Sequence, residues 1–585
     1  MKHAIVSLIL HLVVLTSVQA QSAMQPLSEV PYHWLDRLDI KYATDFHLHT
    51  AMKGAWRKDF VDMVYTIDSI YPEESKADRQ DMQWLLNENN EWQGQPTQTI
   101  QAQTYIDSSK TFYTIQDVDE SRLAYVESKR PLLKRFYKTP AHLFEVNSKD
   151  FHLRINPLLN FRLGSTTDAG NAVFENQRGI SIRGGLDQKV YFHTEILESQ
   201  ARYPDYIQEF QGRFGAVPGG GFIKPYESTW FDFDGGVDFL LANGYIGARV
   251  SKHVNIELGH GRHFLGNGIR SLFLSDFTTD HFYLKLNARI WKFHYQSIFG
   301  ELLRPERNEG DQLLPKKYFA THYLNLRLAH NLDIGLFETV VFARENQFEL
   351  QYLNPLILYR TVEGSIGSPD NVLLGLDIKW NLWQRISLYS QFILDEFKIS
   401  ELTSGNGWWA NKFGLQLGIK YIDLFGVSHL DFQAEYNVAR PYTYSHNDGI
   451  ANYSHYNQAL AHPLGANFRE AVFRLRYQPS RRWFMTGRAA FMNTGEDEDS
   501  QNWGSNILLP NQSRVNDFGN EVAQGVETLI TILGLDVSYQ LRHGLFLDVF
   551  MQSRKKDSSL NLRDFSNTYL GAGIRWNLSR RWLEF

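Results

Sequence analysis

Amphipathic aromatic side chains are the residues of this sequence best suited to recognition chemistry. Tyr226, Trp230, Trp408, Trp409, Tyr442, Tyr444, Tyr453, Tyr456 and Trp503 fall in the longer segments between predicted strands, with Phe231 beside Trp230. A flat ring stacks on the apolar face of a sugar, and its polar edge takes a hydrogen bond. Rings of this kind also anchor recognition surfaces. They are therefore polysaccharide-binding candidates. Packing of loops against one another, or placement at a membrane interface, would use the same chemistry, and the sequence leaves both uses open.

A second group is charged. The segment 260–276 reads His-Gly-Arg-His-Phe-Leu-Gly-Asn-Gly-Ile-Arg-Ser-Leu-Phe-Leu-Ser-Asp. Its glycines do not lead into a helix, so a phosphate cradle is not expected. The segment reads instead as a loop that enters a lumen and pairs with wall charges through Arg262, Asn267, Arg270 and Asp276. Arg360, Glu363, Asp370, Arg440 and His462 extend this set of lumen and loop candidates. The pairs His47/His49 and His260/His263 lack a third ligand for zinc, and Glu496 to Asp499 lacks calcium-loop spacing. Asp395 and Glu396 would suit a glycosidase only if apposed across a cleft. No nucleophile elbow or zincin helix is present. We therefore expect no catalytic residues, no metal and no cofactor. A net charge of −6 without a basic tract gives no reason to expect a nucleic-acid partner.

The elements that must position these residues repeat one pattern. In 282–290, Phe282, Leu284, Leu286, Ala288 and Ile290 share one face of a strand, and Tyr283, Lys285, Asn287 and Arg289 share the other. The pattern returns near 149–163, 173–183, 189–201, 236–250, 253–264, 292–303, 318–329, 332–342, 371–382, 386–397, 411–422, 428–438, 468–478, 482–493, 528–541, 543–552 and 568–578. The count is about eighteen, an even number in the range of single-chain bacterial barrels. Gaps after even strands are tight, as at Ser251-Lys252, Trp291 and His330-Asn331. Gaps after odd strands are often long: 202–235, 343–370, 439–467 and 494–527. A soluble sandwich also alternates. Charges on the polar face in strand after strand, together with the gap rhythm, favour an all-β transmembrane barrel with a wet lumen. Short turns then face the periplasm and long loops the outside, and an even count returns both chain ends to the periplasm. Function is sought in 202–235, 265–279, 343–370, 398–410, 439–467 and 494–527.

Composition agrees. Aromatic residues are 14% of 585, with 29 Tyr and 14 Trp, which suits interfacial girdles. Mean hydropathy is −0.36, and no run of 18 apolar residues occurs after the first 20, so membrane-spanning helices are excluded. Residues 1–20 read as an export signal, with Lys2, an apolar run from Ala4 to Leu15, and Val18-Gln19-Ala20 before a cleavage point. Cysteine is absent, so no disulfide or thiolate site can form. Residues 21–147 read as a small helical unit. Ser28 is a cap candidate, and apolar faces run through Trp34, Leu35 and Leu38, then Phe60, Val64 and Ile67, then Met82, Leu85 and Leu86 after the cap candidate Ser75. This unit is expected to plug or cap the periplasmic mouth of the barrel formed by 148–585.

Several strings resemble a known family. They include Asn156-Pro157, Asn176-Gln177-Arg178-Gly179, Glu198-Ser199-Gln200, Gly266-Asn267-Gly268-Ile269-Arg270-Ser271-Leu272, Leu353-Asn354-Pro355, Glu435-Tyr436-Asn437, Arg440-Pro441-Tyr442-Thr443-Tyr444 and Ala461-His462-Pro463-Leu464-Gly465. The sequence resembles the capsule-assembly Wzi family of outer-membrane proteins, in particular its gliding-motility RemB-like branch from Bacteroidetes-type bacteria. The resemblance implies an eighteen-stranded outer-membrane barrel closed by N-terminal helices. It also implies a lectin-like hold on capsular or other surface polysaccharide, with outer-membrane lipid around it and assembly partners at the membrane. A solute or polysaccharide channel, and a structural part of a motility or secretion assembly, remain alternative readings.

Overall fold

The structure, a computed structural model, describes residues 23–42, 48–71, 75–93, 101–106, 109–114, 123, 125–129, 131–167, 172–187, 189–227, 235–304, 313–344, 349–367, 370–498 and 501–585. The expected export signal and the candidates His47, Trp230 and Phe231 lie outside these residues.

Eighteen antiparallel strands close into a barrel. They are β1 Phe151–Thr166, β2 Ala172–Leu186, β3 Val190–Arg202, β4 Gly236–Arg249, β5 Val254–Gly261, β6 His281–Ile290, β7 Phe293–Leu303, β8 Lys316–Ala329, β9 Leu332–Phe342, β10 Asn371–Leu382, β11 Ile386–Glu396, β12 Lys412–Tyr421, β13 Leu430–Ala439, β14 Phe468–Ser480, β15 Trp483–Glu496, β16 Val526–Arg542, β17 Leu545–Ser558 and β18 Phe565–Trp576. The sheet closes where β18 pairs with β1, with Trp576 opposite Leu159. Phe144–Asn147 and Lys224–Tyr226 add short pieces beside β1 and β4. Each alternating stretch of the sequence forms one of the eighteen strands.

The period of two sorts the side chains as expected. Phe282, Leu284 and Ile290 of β6 stand exposed on the outer wall, while Tyr283, Lys285 and Asn287 are buried inside. Leu258, Leu376, Trp380, Leu475, Leu533 and Leu570 continue the outer apolar band, which is the surface that hydrocarbon requires of a closed barrel. Exposed Trp291 and Trp383 mark the short-turn rim. Aromatic rings at that level suit a membrane interface.

The lumen departs from the wet channel expected. Three helices fill its short-turn half: α1 Glu29–Tyr42, α2 Arg57–Ile70 and α3 Lys76–Glu88. Their shared core holds Trp34, Leu35, Phe60, Val64, Met82 and Leu85. Ser75 caps α3 by accepting from the Asp78 N–H at 3.1 Å. Ser28 does not cap α1. That helix begins at Glu29, and the Ser28 hydroxyl is buried without a hydrogen-bond partner among the described residues. Residues 101–106 and 109–114 pair as a hairpin.

The helices present acids to a basic wall. Glu29 meets Arg476 at 2.8 Å, Asp39 meets Lys379 at 2.6 Å, and Asp59 meets Arg289 at 2.7 Å. Asp81 meets His429 at 2.7 Å, and Glu91 meets Arg183 at 3.0 Å. Arg37 reverses the sign and pairs with Asp431 and Asp423. The charged faces read as water-lined are thus a buried polar interface, since Asp377 and Lys379 are each 1% exposed.

The even count does bring β18 down to the short-turn rim, but the chain does not stay there. Asn577 turns with φ of 53°, donating its backbone N–H to the Gly544 carbonyl and its side-chain amide to the Pro157 carbonyl. Residues 578–585 then climb through the lumen. Phe585 packs against Tyr206 and Phe210 of α4, Asp205–Phe214, in the loop between β3 and β4. The expectation of a final residue in the periplasm is therefore corrected.

Two outcomes follow for the docked helices. Lys379→Met leaves the Asp39 carboxylate buried without its cation and should cost about 3–5 kcal/mol. Urea-dependent proteolysis within α1 to α3 would measure the loss. Acid should release the helices in a defined window. Burial alone would raise the Glu91 pKa, but the Arg183 and Arg154 guanidiniums outweigh it and hold the carboxyl well below its ordinary value. Burial pushes Glu88 up too, but His543, Arg57 and Arg183 outweigh it and leave that carboxyl lowered as well. A depressed carboxylate stabilises fully above its unfolded pKa and loses that stabilisation as pH falls through the folded one. Proteolytic protection should hold from pH 7 to about 4.3, the unfolded Glu value, and fall only below it.

Candidate functional site on the long-loop face

The loops between odd and even strands fold over the barrel mouth and form a dome with its own core. That requirement overturns three of the aromatic candidates. Tyr442, Tyr444 and Tyr453 are each 1% exposed. The rings of Tyr444 and Tyr453 stack with centroids 5.8 Å apart. Tyr444 donates its hydroxyl to the Leu272 carbonyl at 2.8 Å, and Tyr442 donates to the Asn502 carbonyl at 2.9 Å. Burial raises the pKa of Tyr442 to about 12, as suits a phenol that stays protonated. These rings pack loops together and present no face to a ligand. Trp503 is half-buried against Gly525, where a Cβ would lie 2.7 Å from the ring. Its indole N–H is buried without a partner among the described residues. Tyr456 is half-buried beside β7, donating its backbone N–H to the Leu303 carbonyl at 3.0 Å and meeting the His455 ring. Tyr226 is half-buried beside Phe174.

Trp408 and Trp409 are likewise half-buried, but they stand side by side, with centroids 6.3 Å apart in an edge-to-face pair. The Arg514 guanidinium lies 4.1 Å over Trp409, and the Lys398 ammonium 5.4 Å over Trp408. Tyr442 supports Trp409 from below. Arg440 ties the arrangement down by donating to the carbonyls of Asn411 at 2.7 Å, Trp408 at 3.4 Å and Asn520 at 3.3 Å. Exposed Ile399, Leu402 and Phe518 flank the rings, and Lys398, Glu401, Arg514 and Asp517 supply paired charges at the edge. Flat rings, apolar shoulders and peripheral charges form a surface that can stack a sugar and hydrogen-bond its hydroxyls.

Two loops meet to build it. The Gly519 N–H donates to the Asn406 carbonyl and the Asn520 N–H to the Gly407 carbonyl, both at 2.9 Å. Gly407 has φ of 68°, and a Cβ there would lie 2.7 Å from the Asn520 nitrogen. The junction therefore requires glycine.

The charged candidates separate into three places. The loop after β5 does enter the lumen. Arg262 pairs with Asp280 at 3.0 Å. Asn267 accepts from Thr50 at 2.9 Å. Arg270 pairs with Glu470 at 2.9 Å, and His462 with the same carboxylate at 2.7 Å. The Asp276 side chain is exposed to the lumen space, and its carbonyl accepts from Arg581 at 3.3 Å. Glu435 organises the turn by accepting from the Ile269 and Arg270 N–H groups at 2.7 and 3.0 Å. Arg440 belongs to the outer patch. Asp395 and Glu396 both face Lys412, at 3.1 and 3.3 Å, and form no cleft.

Arg360, Glu363 and Asp370 sit elsewhere than expected. Their loop lies against the outer wall of the barrel. Its helix α5, Tyr359–Ile366, covers Ala320, Val340 and Phe342, whose side chains share the outward face of β8 and β9. The Arg360 N–H donates to the Glu338 carboxylate at 3.1 Å, and Asp370 accepts from Arg344 and Tyr352 at 2.7 Å. Leu350, Leu356 and Leu358 are more than half exposed on its far side. The outward carboxylate of Glu338 needs a polar cover in an apolar band, so these residues brace a flap that faces lipid. Sequence reasoning missed Glu338, Glu435, Glu470, Arg474, Arg488 and the segment 578–585. Only the loss of alternation after Leu578, in Ser-Arg-Arg-Trp, signalled the last of these.

Fold and site together define a plugged eighteen-stranded barrel of outer-membrane type that carries an aromatic patch on its long-loop face. No family model matches the sequence, and no curated protein matches it. Solved structures do. The chain is similar to Wzi of Escherichia coli, described as an outer-membrane protein involved in group 1 capsule assembly and a carbohydrate-binding β-barrel. The match has 12% identity, covers 96% of this chain and 100% of that one, and has a TM-score of 0.52. OprD of Pseudomonas aeruginosa matches at 11% identity over 72% of this chain and 94% of that one, with a TM-score of 0.39. OpdK of the same organism, solved with vanillate, matches at 12% over 72% and 98%, with a TM-score of 0.40.

Gly407→Val should open the junction under the patch. Strain at a positive φ costs about 1–3 kcal/mol. The exposed strip 512–519 should then be nicked by protease in the folded barrel, while the wild-type strip resists.

Proposed function

We propose that the protein is a non-enzymatic outer-membrane barrel that holds exported or capsular polysaccharide at the cell surface. The observation that carries this reading is the partly exposed Trp408–Trp409 pair, backed by Arg440 and Arg514, on a barrel whose lumen is largely filled. A filled lumen removes the need for a wide pore. A rigid aromatic patch on the outer face offers a grip on a chain of sugars. The likeness to a barrel described as carbohydrate-binding supports the same reading. Residues 1–20 supply export, the outer apolar band supplies residence in the outer membrane, and the surface glycan is the partner. A link to surface movement, implied by the RemB-like resemblance, follows from the same grip.

Trp408→Ala with Trp409→Ala should weaken glycan binding by purified protein at least about tenfold, or ~1.4 kcal/mol. Cells carrying the double variant should shed surface polysaccharide while the barrel assembles normally. Unchanged retention of surface glycan would reject the patch as the binding site.

A further inference from the structure

The space that helices and loops leave in the lumen is divided by residues 578–585. A chamber of about 380 Å³ has Leu578 to Arg581 and Leu583 in one wall. A second of about 190 Å³ is walled by Ser579 to Leu583, and a third of about 80 Å³ by Ser579, Arg580 and Trp582. The largest reaches from Gly544 and Asn577 at the short-turn rim to Tyr203 and Pro218 beneath the dome. Without the segment these chambers would merge into one passage alongside α1 to α3.

The segment is held as a ligand is held. It forms no strand and joins no ladder. Arg580 pairs with Asp536 at 3.0 Å and Asp548 at 2.9 Å. The Trp582 ring lies under the guanidiniums of Arg474 at 4.4 Å and Arg488 at 5.1 Å. Glu584 pairs with Arg488 at 2.5 Å, and its carbonyl accepts from Arg270 at 2.6 Å. Phe585 fills an aromatic seat made by Tyr206, Phe210 and Phe277, with centroids 5.1 to 5.8 Å away. The fit is imperfect, for the Trp582 indole N–H is buried without a partner among the described residues.

Departure would break no strand pairing, because the closing pair of β18 and β1 ends at Trp576. The wall charges would keep partners. Asp536 retains Arg488, Asp548 retains Arg575, and Arg270 retains Glu470. What departure leaves at the place of Glu584 is a cluster of three guanidiniums, Arg270, Arg474 and Arg488, each with an acid still beside it. The donors freed there favour another carboxylate.

We propose that residues 578–585 are a stopper bound in cis, and that their seat is a binding site for an extended chain bearing a carboxylate beside a flat apolar ring. Exchange of the stopper for such a chain places the ligand in the lumen. This inference stands whether or not the outer patch binds glycan.

Planar-bilayer recording tests it. The intact protein should pass little current, and a variant lacking 578–585 should conduct in steps at least about tenfold larger. A synthetic heptapeptide of sequence 579–585 should restore the block, and its Glu584→Gln form should need at least about thirtyfold more peptide, the order expected for losing a buried charge pair. A truncated barrel that assembles yet conducts no more than the intact protein overturns the proposal, and so does a peptide that fails to block. Should truncation prevent assembly, the native absence of cysteine allows a second reading. Phe585→Cys in a Glu584→Gln background should react with a membrane-impermeant maleimide at least about tenfold faster than Phe585→Cys alone. Equal, slow reaction in both would show a fixed strut and sink the idea.

Discussion

Every charge buried inside this barrel must find a partner within the protein, and most of the architecture follows from that constraint. Hydrocarbon surrounds the wall, and helices and loops occupy the interior, so water cannot neutralise a lumenal side chain cheaply. The wall carries Lys379, Lys420, Arg289, Arg476 and Arg183 inward. The helices answer with Asp39, Asp36, Asp59 and Glu29, and the turn after α3 with Glu91. Docking is thus specified by sign as well as by shape. An apolar plug of equal volume would strand five cations. Ion pairs of this kind add little net stability over an apolar packing, but breaking one is costly, so they fix a single docked arrangement.

The same rule explains the outside. Glu338 and His322 project toward lipid, where a bare polar pair would be expensive. The loop between β9 and β10 folds down over them, offers the Arg360 N–H to Glu338, sets Tyr359 at a tilt against His322 with centroids 4.1 Å apart, and turns leucines outward. A polar lumen and a greasy flap are two solutions to one problem. Charge is tolerated only where a second element covers it.

The barrel was legible because its signal is local. A strand declares itself by alternation over ten residues, and the eighteen stretches of the sequence match the eighteen strands. The three helices were legible for the same reason, through apolar spacing and the Ser75 cap. What remained hidden depends on contacts between segments hundreds of residues apart. Nothing near Tyr444 shows that Tyr453 and Leu272 will enclose it, and so a buried dome residue read like a surface one. Trp408 and Trp409 have the same chemistry and stay partly exposed where Gly407 and Arg440 hold their loop on the rim. The loop entering the lumen could be anticipated, since its glycines and arginines lacked any other use. Its anchor on Glu435 could not, because that residue sits in an ordinary strand pattern.

The segment after β18 is the hardest part to read locally. Its residues Arg580, Arg581, Trp582 and Glu584 look like a solvated end, yet Glu584 is 2% exposed. The cause lies in glycine as much as in charge. At Gly219, with φ of 70°, a Cβ would fall 1.6 Å from the Arg581 guanidinium, so the loop between β3 and β4 is shaped to receive that side chain. Arg581 in turn donates to the Phe277 carbonyl at 2.8 Å, which joins the loop after β5 to the same segment. Two loops of the dome therefore rest on residues that enter from the opposite rim. The dome that carries the outer patch and the seat that holds 578–585 are mechanically one unit, and a change in the lumen has a direct path of packed contacts to the surface.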